Sequence, residues 1–412
     1  MRISCISVSD QLGGSEVALT DMIAGLRAAR PGWQFQAVLP GSGPLRRRLE
    51  AAGAQVSVVE MPGSLARVGE SAAVRQRWSA PATAALALRL GAVAAALPSY
   101  ERRLRRALSG FQPNVIHTNG LKAHVLGARA GLPGAAVVWH LHEYVSRRRL
   151  TRRLLRRYAD RCAAIIANSA SVGADVGSIF TTSPAVHVVR NSVDLRMFSP
   201  EGARLELDAL AGLSPAPANA VRVGLVATFG RWKGQDTFLD ALQRTDASGP
   251  IRGYIIGGPV YDTSGSQYSA RELNAMIDAR ALRARVGLTG FLDSAAAMRS
   301  LDVVVHASRE PEPFGLAIAE AMACGRAVVT TGDGGAAELI DAGRDALVAP
   351  PGDVNALTEA IERLAGDPAL RASMAVRARV SAIGRFAPDR MAGEVAHVFE
   401  TVAPRHPLAQ PA

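Results

Sequence analysis

Residues 310–340 read EPEPFGLAIAEAMACGRAVVTTGDGGAAELI, directly after the short apolar run Val303–His306. A β-branched run of that length predicts a buried strand, which empties into a loop carrying Glu310 and Glu312. Pro313 stands where proline is tolerated, at the start of the helix expected next. The early N–H groups of that helix, near Phe314, Gly315 and Leu316, form a natural anion site. Gly315 has no side chain, so a phosphate can approach the backbone there. Glu320 follows Glu312 by eight residues and sits about two turns into the helix. Two carboxylates around such a helix start can hydrogen-bond sugar hydroxyls at one end and a ribose at the other. The plainer alternative is two acids that only solvate a loop and a helix face.

Working outward, the same strand-then-helix rhythm fills the chain. Strand-like runs occur at Ile3–Ser9, Gln34–Leu39, Val56–Val59, Val115–His117, Ala136–His140, Ala164–Ala167 and Val186–Val189. Residues 201–220, EGARLELDALAGLSPAPANA, are rich in Pro and Ala and read as a linker. A second series starts at VRVGLVATFG and continues through Gly253–Ile256, Ala284–Leu288, Val303–His306, Ala327–Thr330 and Ala346–Val348. This period predicts two doubly wound α/β domains, residues 1–200 and 201–385. Such sheets bind ligands beyond the carboxyl ends of their strands, which predicts a site in a cleft shared by the two domains. Residues 386–412 read as a last helix, continuing the second domain or crossing back to the first, and a flexible tail, PRHPLAQPA.

A second phosphate-facing element is FGRWKGQD, where a strand at Val223–Thr228 feeds a tight turn carrying Arg231 and Lys233. Lys122 and Lys233 are the only lysines among 47 basic residues. A lysine in this turn is therefore notable, although a plain surface turn residue is the competing account. Net charge is +11, mostly the arithmetic of an arginine-rich composition. The exception is residues 147–161, RRRLTRRLLRRYADR, where eight of fifteen residues are arginine, with Leu150, Leu154, Leu155 and Tyr158 at helical spacing. That basic amphipathic helix suits an anionic membrane surface or an anionic acceptor, and equally a solvated face anchored by its leucines. No recognition motif for nucleic acid accompanies it. Cys5, Cys162 and Cys324 form no CxxC pair or metal cluster, in keeping with a reduced compartment. The N-terminus reads as a first strand and not as a signal peptide. The most apolar stretch, Ala82–Leu97, is broken by Arg89 and too short to span a bilayer. These features predict a cytoplasmic protein, peripheral at most at the inner membrane face.

Taken together, the motifs closely resemble the retaining glycosyltransferases of the GT-B fold called family 4, over nearly the whole chain. The most specific mark is E-x7-E, here Glu312 and Glu320 in EPFGLAIAE. Supporting marks, in the family's order, are GGSE at 13–16, IIANSASV at 165–172, RNSVDLRMF at 190–198, FGRWKG at 229–234, and GDGGAAELI followed by GRDALVAPPGD. The resemblance implies two Rossmann-like domains, an acceptor-binding N-terminal one and a C-terminal one for a nucleotide diphosphate sugar, UDP- or GDP-linked. It places Glu312 near the donor sugar, Glu320 on the ribose hydroxyls, Arg231 and Lys233 on the diphosphate, and the backbone of Phe314, Gly315 and Leu316 on sugar or phosphate. Gly13 and Gly14 would let the first domain close over the donor phosphates, and Gly290, Phe291 and Leu292 would lie near the base. Glu16 is an acceptor-side candidate.

The family carries a histidine that contacts the donor sugar or its phosphate, and WHLHEY supplies His140 and His142. His142, which precedes an acid, is the favoured choice and His140 the fallback. His117 in VIHTN is either acceptor-facing or packed, and His306 reads as core or support. The family implies front-face attack, with the departing phosphate helping to deprotonate the acceptor hydroxyl. No D-x-D motif is present, so the expectation is no catalytic metal and no cofactor beyond the donor substrate. The acceptor is either a soluble small molecule or a lipid-linked or cell-surface glycan precursor. Two competing readings are a sugar-nucleotide epimerase of similar architecture and a non-catalytic nucleotide-sugar-binding protein. A nicotinamide dehydrogenase is disfavoured because no G-x-G-x-x-G follows the first strand.

Overall fold

A computed structural model describes residues 1–66, 80–180, 184–246, 249, 251–260 and 265–404. The chain forms two compact units, Met1–Ser192 with Pro388–Ala412, and Val193–Ala387. In the first, β1 (Arg2–Ser7), β2 (Gln34–Leu39), β3 (Gln55–Val58), β4 (Val115–Asn119), β5 (Ala136–Leu141), β6 (Ala164–Ala167) and β7 (Ala185–Val188) make one parallel sheet in the order β3-β2-β1-β4-β5-β6-β7. In the second, β8 (Val221–Val226), β9 (Ile251–Ile256), β10 (Val286–Gly290), β11 (Val303–His306), β12 (Ala327–Thr330) and β13 (Leu347–Val348) run in the order β10-β9-β8-β11-β12-β13, again all parallel. Each is the predicted doubly wound α/β fold. The strand order reverses between β1 and β4 and between β8 and β11. Those are the switch points where connections leave for opposite faces and open a crevice at the strands' carboxyl ends.

Strand residues serve both faces because successive side chains alternate. In the first unit Val115, Val138 and Ile166 join one core, with the helices Gly14–Ala29 and Pro388–Val402. Ile116, Trp139 and Ile165 join the other. The second unit repeats this, with Val303, Val305 and Val329 in one layer and Val304 and Val328 in the other. Each fully buried Val, Leu or Ile contributes about 1.5–3 kcal/mol of transfer free energy, which explains the near-continuous apolar strands. The final helix packs along Gly14–Ala29, so the chain returns to its first unit. Close approach is set by Gly25, where a Cβ would lie 3.3 Å from that of Ala392.

Several boundaries differ from those read in the sequence. The helix after β11 runs Leu316–Ala323 and does not start at Pro313, because Gly315 adopts φ 100° and breaks the helical path just before it. Glu320 therefore lies little more than one turn in. The Pro- and Ala-rich stretch at 201–220 is mostly exposed but is pinned at one point, where Asp208 is buried and accepts hydrogen bonds from Tyr254 Oη (2.7 Å) and Ala216 N (3.0 Å). The division between units falls instead at Ser192/Val193. Among the described residues no helix is long and apolar enough to cross a membrane. The tail beyond Pro404 falls outside the described residues.

Candidate functional site

In the second unit the two elements singled out from sequence meet at the β8/β11 switch point. After β8, residues Arg231–Lys233 form a single 3-10 turn closed by Gly234 at φ 75°. A side chain at 234 would collide with the backbone, since a Cβ there would lie 1.9 Å from Ala307 O. The turn is tied to the segment after β11 by Arg309 N donating to Trp232 O (2.7 Å) and by the Arg309–Asp236 ion pair (2.7 Å). The Glu312 segment is strapped from its other side, where Gly335 N donates to Glu312 O at 2.6 Å. Two sequence-distant loops are thereby held in register.

Three donors converge on one carboxylate oxygen. Glu312 Oε2 lies 2.6 Å from Lys233 Nζ, 3.1 Å from Ser308 Oγ and 3.2 Å from His306 Nε2. The His306 Nδ1 is 3.1 Å from Thr330 Oγ1, its parallel-register partner across β11 and β12. With Nε2 protonated, the imidazole donates to the carboxylate and accepts from the threonine hydroxyl. Burial by itself pushes the Glu312 carboxyl up, but the Lys233 charge and the His306 hydrogen bond outweigh it and hold it well below the usual carboxylate range. The result is a nearly buried ion pair, with Lys233 and Glu312 side chains only 21% and 13% exposed.

Arg231 is held on the other side of the turn. It pairs with Glu272 (2.6 Å) and lies over the Tyr268 ring, 4.2 Å from its centroid. Glu272 also closes a capping box with Ser269 at the helix Ala270–Ala279. The Ser269 hydrogen bonds and Arg231 hold its carboxyl down at about 2. The structure thus brings Lys233 and Glu312 together while Arg231 stands beside them in a separate pair. The Phe314 ring is core, edge-on to Phe386 at 6.1 Å, so only its backbone is available. Gly315 is the N-cap of Leu316–Ala323, and Leu316 contributes one of that helix's first N–H groups. Glu320 is half-buried on the same helix. Gly290 ends β10 at φ 75°, Leu292 packs on the core, and Phe291 is 64% exposed with its ring over Gly258.

The N-terminal candidates gather at the carboxyl ends of β1, β4 and β5. Gly13 caps and Gly14 opens the helix Gly14–Ala29, and no side chain caps its first N–H groups. Glu16 is buried in its first turn and accepts from Ser15 Oγ (2.9 Å), with burial pushing its carboxyl up. His117 and His140 are fully buried and bonded Nε2 to Nδ1 at 3.1 Å. Neither ring reaches the surface of this unit, the arrangement of the packed alternative read for His117. The His142 ring lies tilted against that of His140, centroids 4.2 Å apart, and neither of its ring nitrogens has a hydrogen-bond partner among the described residues. Burial holds His142 down at about 4, and burial followed by the neighbouring His142 charge holds His117 at about 3. Both are neutral near pH 7. The loop beyond is fixed by Asp175, whose carboxylate accepts from Val145 N (2.8 Å) and Ser146 N (3.1 Å).

Sequence reading missed Ser308, Thr330, Tyr268 and Glu272, and gave His306 only a supporting place. Among the described residues no group of three or more His, Cys, Asp or Glu side chains is arranged to hold a metal ion.

Residues 220–367 match the sequence profile described as Glycosyl transferases group 1, and residues 44–196 match Glycosyltransferase Family 4. A GDP-mannose-dependent alpha-mannosyltransferase of Mycobacterium tuberculosis is 30% identical over 302 residues, 69% of this chain and 72% of that protein. This chain belongs to the family 4 glycosyltransferases. A D-inositol 3-phosphate glycosyltransferase of Jonesia denitrificans is 30% identical over 252 residues, 58% of this chain and 57% of that one, so the chain spans little more than half its length. Among solved structures, Anabaena HepE in complex with UDP and glucose superposes with a TM-score of 0.77, at 23% identity, over 97% of this chain and all of that one. At that identity the likeness establishes the GT-B fold, the one expected for family 4.

Proposed function

We propose that this chain is a retaining glycosyltransferase that moves a sugar from a UDP- or GDP-linked donor to a hydroxyl acceptor. The observation carrying this reading is the Lys233–Glu312–His306 cluster at the β8/β11 switch point, beside the start of the helix Leu316–Ala323. The ion pair is a stored pair of recognition groups. When a donor binds, Lys233 turns to the diphosphate and Glu312 to the sugar hydroxyls, while His306 and Ser308 keep the carboxylate in place. Arg231, the Gly315 and Leu316 backbone, and the Gly13–Gly14 helix start supply further positive potential for phosphate. Glu320 takes the ribose, and the exposed Phe291 with Gly290 and Leu292 borders the base. His142, neutral and with no hydrogen-bond partner among the described residues, contacts the donor sugar or its phosphate. Glu16 and the first unit serve the acceptor.

In the transfer step the acceptor oxygen bonds to the anomeric carbon as that carbon's bond to the β-phosphate oxygen breaks. The acceptor proton passes to the departing phosphate, leaving a glycoside and a nucleoside diphosphate. Arg231 and Lys233 stabilise the charge that develops on the leaving group. Mannose and glucose donors are the first to test, since one relative is named for GDP-mannose and HepE was solved with UDP and glucose. A lipid-linked acceptor is favoured over a soluble one by the helix Arg149–Tyr158, on which Leu150 and Leu154 are exposed and only Leu155 is fully buried. Two leucines left outside a packed face suit peripheral contact with an anionic membrane.

The deciding experiment is a mass-spectrometric screen of purified protein against UDP- and GDP-sugars with lipid-linked and soluble acceptors. A glycosylated product with retained anomeric configuration supports the reading. Inversion overturns the mechanism, and donor isomerisation without acceptor overturns the transferase assignment.

A further inference from the structure

We propose that the first unit carries a separate phosphate-binding site in the hollow lined by Glu101, Arg129, Arg157, Tyr158 and Arg161. This hollow encloses about 490 Å³ and no aliphatic side chain lines it. Its floor is a built arrangement. Arg129 forms a two-armed ion pair with Glu101, Nε to Oε1 and Nη2 to Oε2 (3.1 Å), and donates from Nη1 to Tyr158 Oη at 2.7 Å. Tyr158 is flanked by two guanidiniums, Arg129 at 5.9 Å and Arg161 at 5.7 Å from its ring centroid. Among the described residues no carboxylate pairs with Arg157 or Arg161, so three cations share one anion. Arg105 adds a fourth guanidinium close by, donating to Arg129 O at 3.1 Å.

The place of the hollow in the fold separates it from the chemistry of the β-strand carboxyl ends. Arg129 sits in the last turn of Leu121–Ala130, and Arg157 and Tyr158 in the last turn of Arg149–Tyr158. Helices that follow parallel strands end where the next strand begins, so the hollow lies at the amino-terminal ends of the strands, and His142, just past the carboxyl end of β5, is about 20 Å away along that strand. Helix carboxyl ends favour cations, which accounts for one arginine at each end. That effect does not account for Arg157 and Arg161, which have no carboxylate partner among the described residues, Arg161 lying against the Tyr158 ring and donating to Ala128 O at 3.4 Å. A tetrahedral anion does, because it accepts from several planar forks at once. Inorganic phosphate, a phosphomonoester and a phospholipid headgroup share that chemistry.

The test reads binding alone and is therefore independent of the transferase reading. Wild type, R157Q/R161Q and E101Q are compared by calorimetric titration with inorganic phosphate. The same proteins are sedimented with vesicles of phosphatidylcholine, with and without phosphatidylglycerol. We expect R157Q/R161Q to lose tenfold or more in affinity while its UDP and GDP titrations stay at wild-type level. E101Q, which removes the competing carboxylate, should bind several-fold more tightly, a gain that misfolding cannot produce. Phosphate binding without vesicle binding assigns a soluble ligand, and vesicle binding that needs phosphatidylglycerol and both arginines assigns a headgroup. Binding in neither assay, equal binding by wild type and R157Q/R161Q, or weaker binding by E101Q overturns the proposal.

Discussion

Replacing Glu312 with glutamine asks whether the ion pair at the switch point stores a phosphate-binding lysine. Lys233 and Glu312 stand 2.6 Å apart and are mostly buried. At an effective dielectric of about 20, their gross attraction is about 6 kcal/mol. Most of that is offset by the cost of desolvating both ions, leaving a net of about 1–2 kcal/mol for a charge-assisted bond of this kind. A nucleoside diphosphate must overcome that net to recruit Lys233. The amide of Glu312→Gln keeps the shape and can still meet His306 and Ser308, but it does not compete for the ammonium. UDP and GDP should therefore bind roughly 5–30-fold more tightly to the variant. Sugar transfer should fall, because the carboxylate that holds the sugar is gone. Calorimetric titration of both nucleotides, alongside product formation with the active donor, measures the two effects separately. Diphosphate binding that is unchanged or weaker refutes the exchange mechanism.

Glu320→Ala should weaken donor binding by roughly 5–30-fold through lost ribose contacts, and a 2′,3′-dideoxyribose donor should bind both proteins alike; wild-type affinity in the variant would reject the role. Acid should destabilise the first unit. His117 and His142 stay neutral down to about 3 and 4 when folded, whereas unfolded histidine protonates near 6.5. The unfolded state thus takes up protons first, and stability falls as pH drops from about 6.5 towards 4, by up to ~1.4 kcal/mol per pH unit for each histidine. Hydrogen exchange of β4 and β5, corrected for intrinsic rates, should show lost protection between pH 7 and pH 5, and flat protection counts against the buried neutral cluster. The Glu312 pair adds a loss in the same direction at lower pH: its carboxyl is depressed, so its contribution is whole above the ordinary glutamate value and is lost progressively as pH falls below it. Gly234→Ala places a Cβ against Ala307 O at a positive φ and should cost about 2–4 kcal/mol, read as a lower denaturant midpoint for the second unit.

What could be read from sequence was what local pattern encodes. The alternating cores of β4, β5, β11 and β12 follow from short β-branched runs, and Glu312, Lys233 and Gly315 were visible because each sits in a compact motif beside a strand end. The start of the helix after β11 was misplaced because Pro313 is a good helix-start residue by itself, and only the positive φ of Gly315 shows that the turn continues past it. The contact between His306 and Thr330 stayed hidden for another reason. They meet through the parallel register of β11 and β12, which no local pattern specifies. The Ser269–Glu272 capping box was present in the sequence, but its second use, holding Arg231 from 41 positions away, depends on the antiparallel bridge between Gly230 and Gln267. Burial of His117 likewise draws on Phe399, which packs edge-on to it from the far end of the chain.

The choice of lysine at 233, in a chain with 45 arginines, has a physical reason if the pair must open and close. An ammonium is a compact point charge with three rotatable donors, so it can leave one carboxylate oxygen for a phosphate by turning its stem. A guanidinium fork would grip the carboxylate with two parallel bonds. Lys233→Arg, which conserves charge, should then weaken UDP and GDP binding by about tenfold, since the stronger pair is harder to open. Adding Glu312→Gln to Lys233→Arg should restore most of that loss by removing the fork's partner. The two substitutions must be non-additive, because they act through one contact. If Lys233→Arg binds both nucleotides as wild type does, charge alone suffices and the exchange of partners is not what the lysine provides.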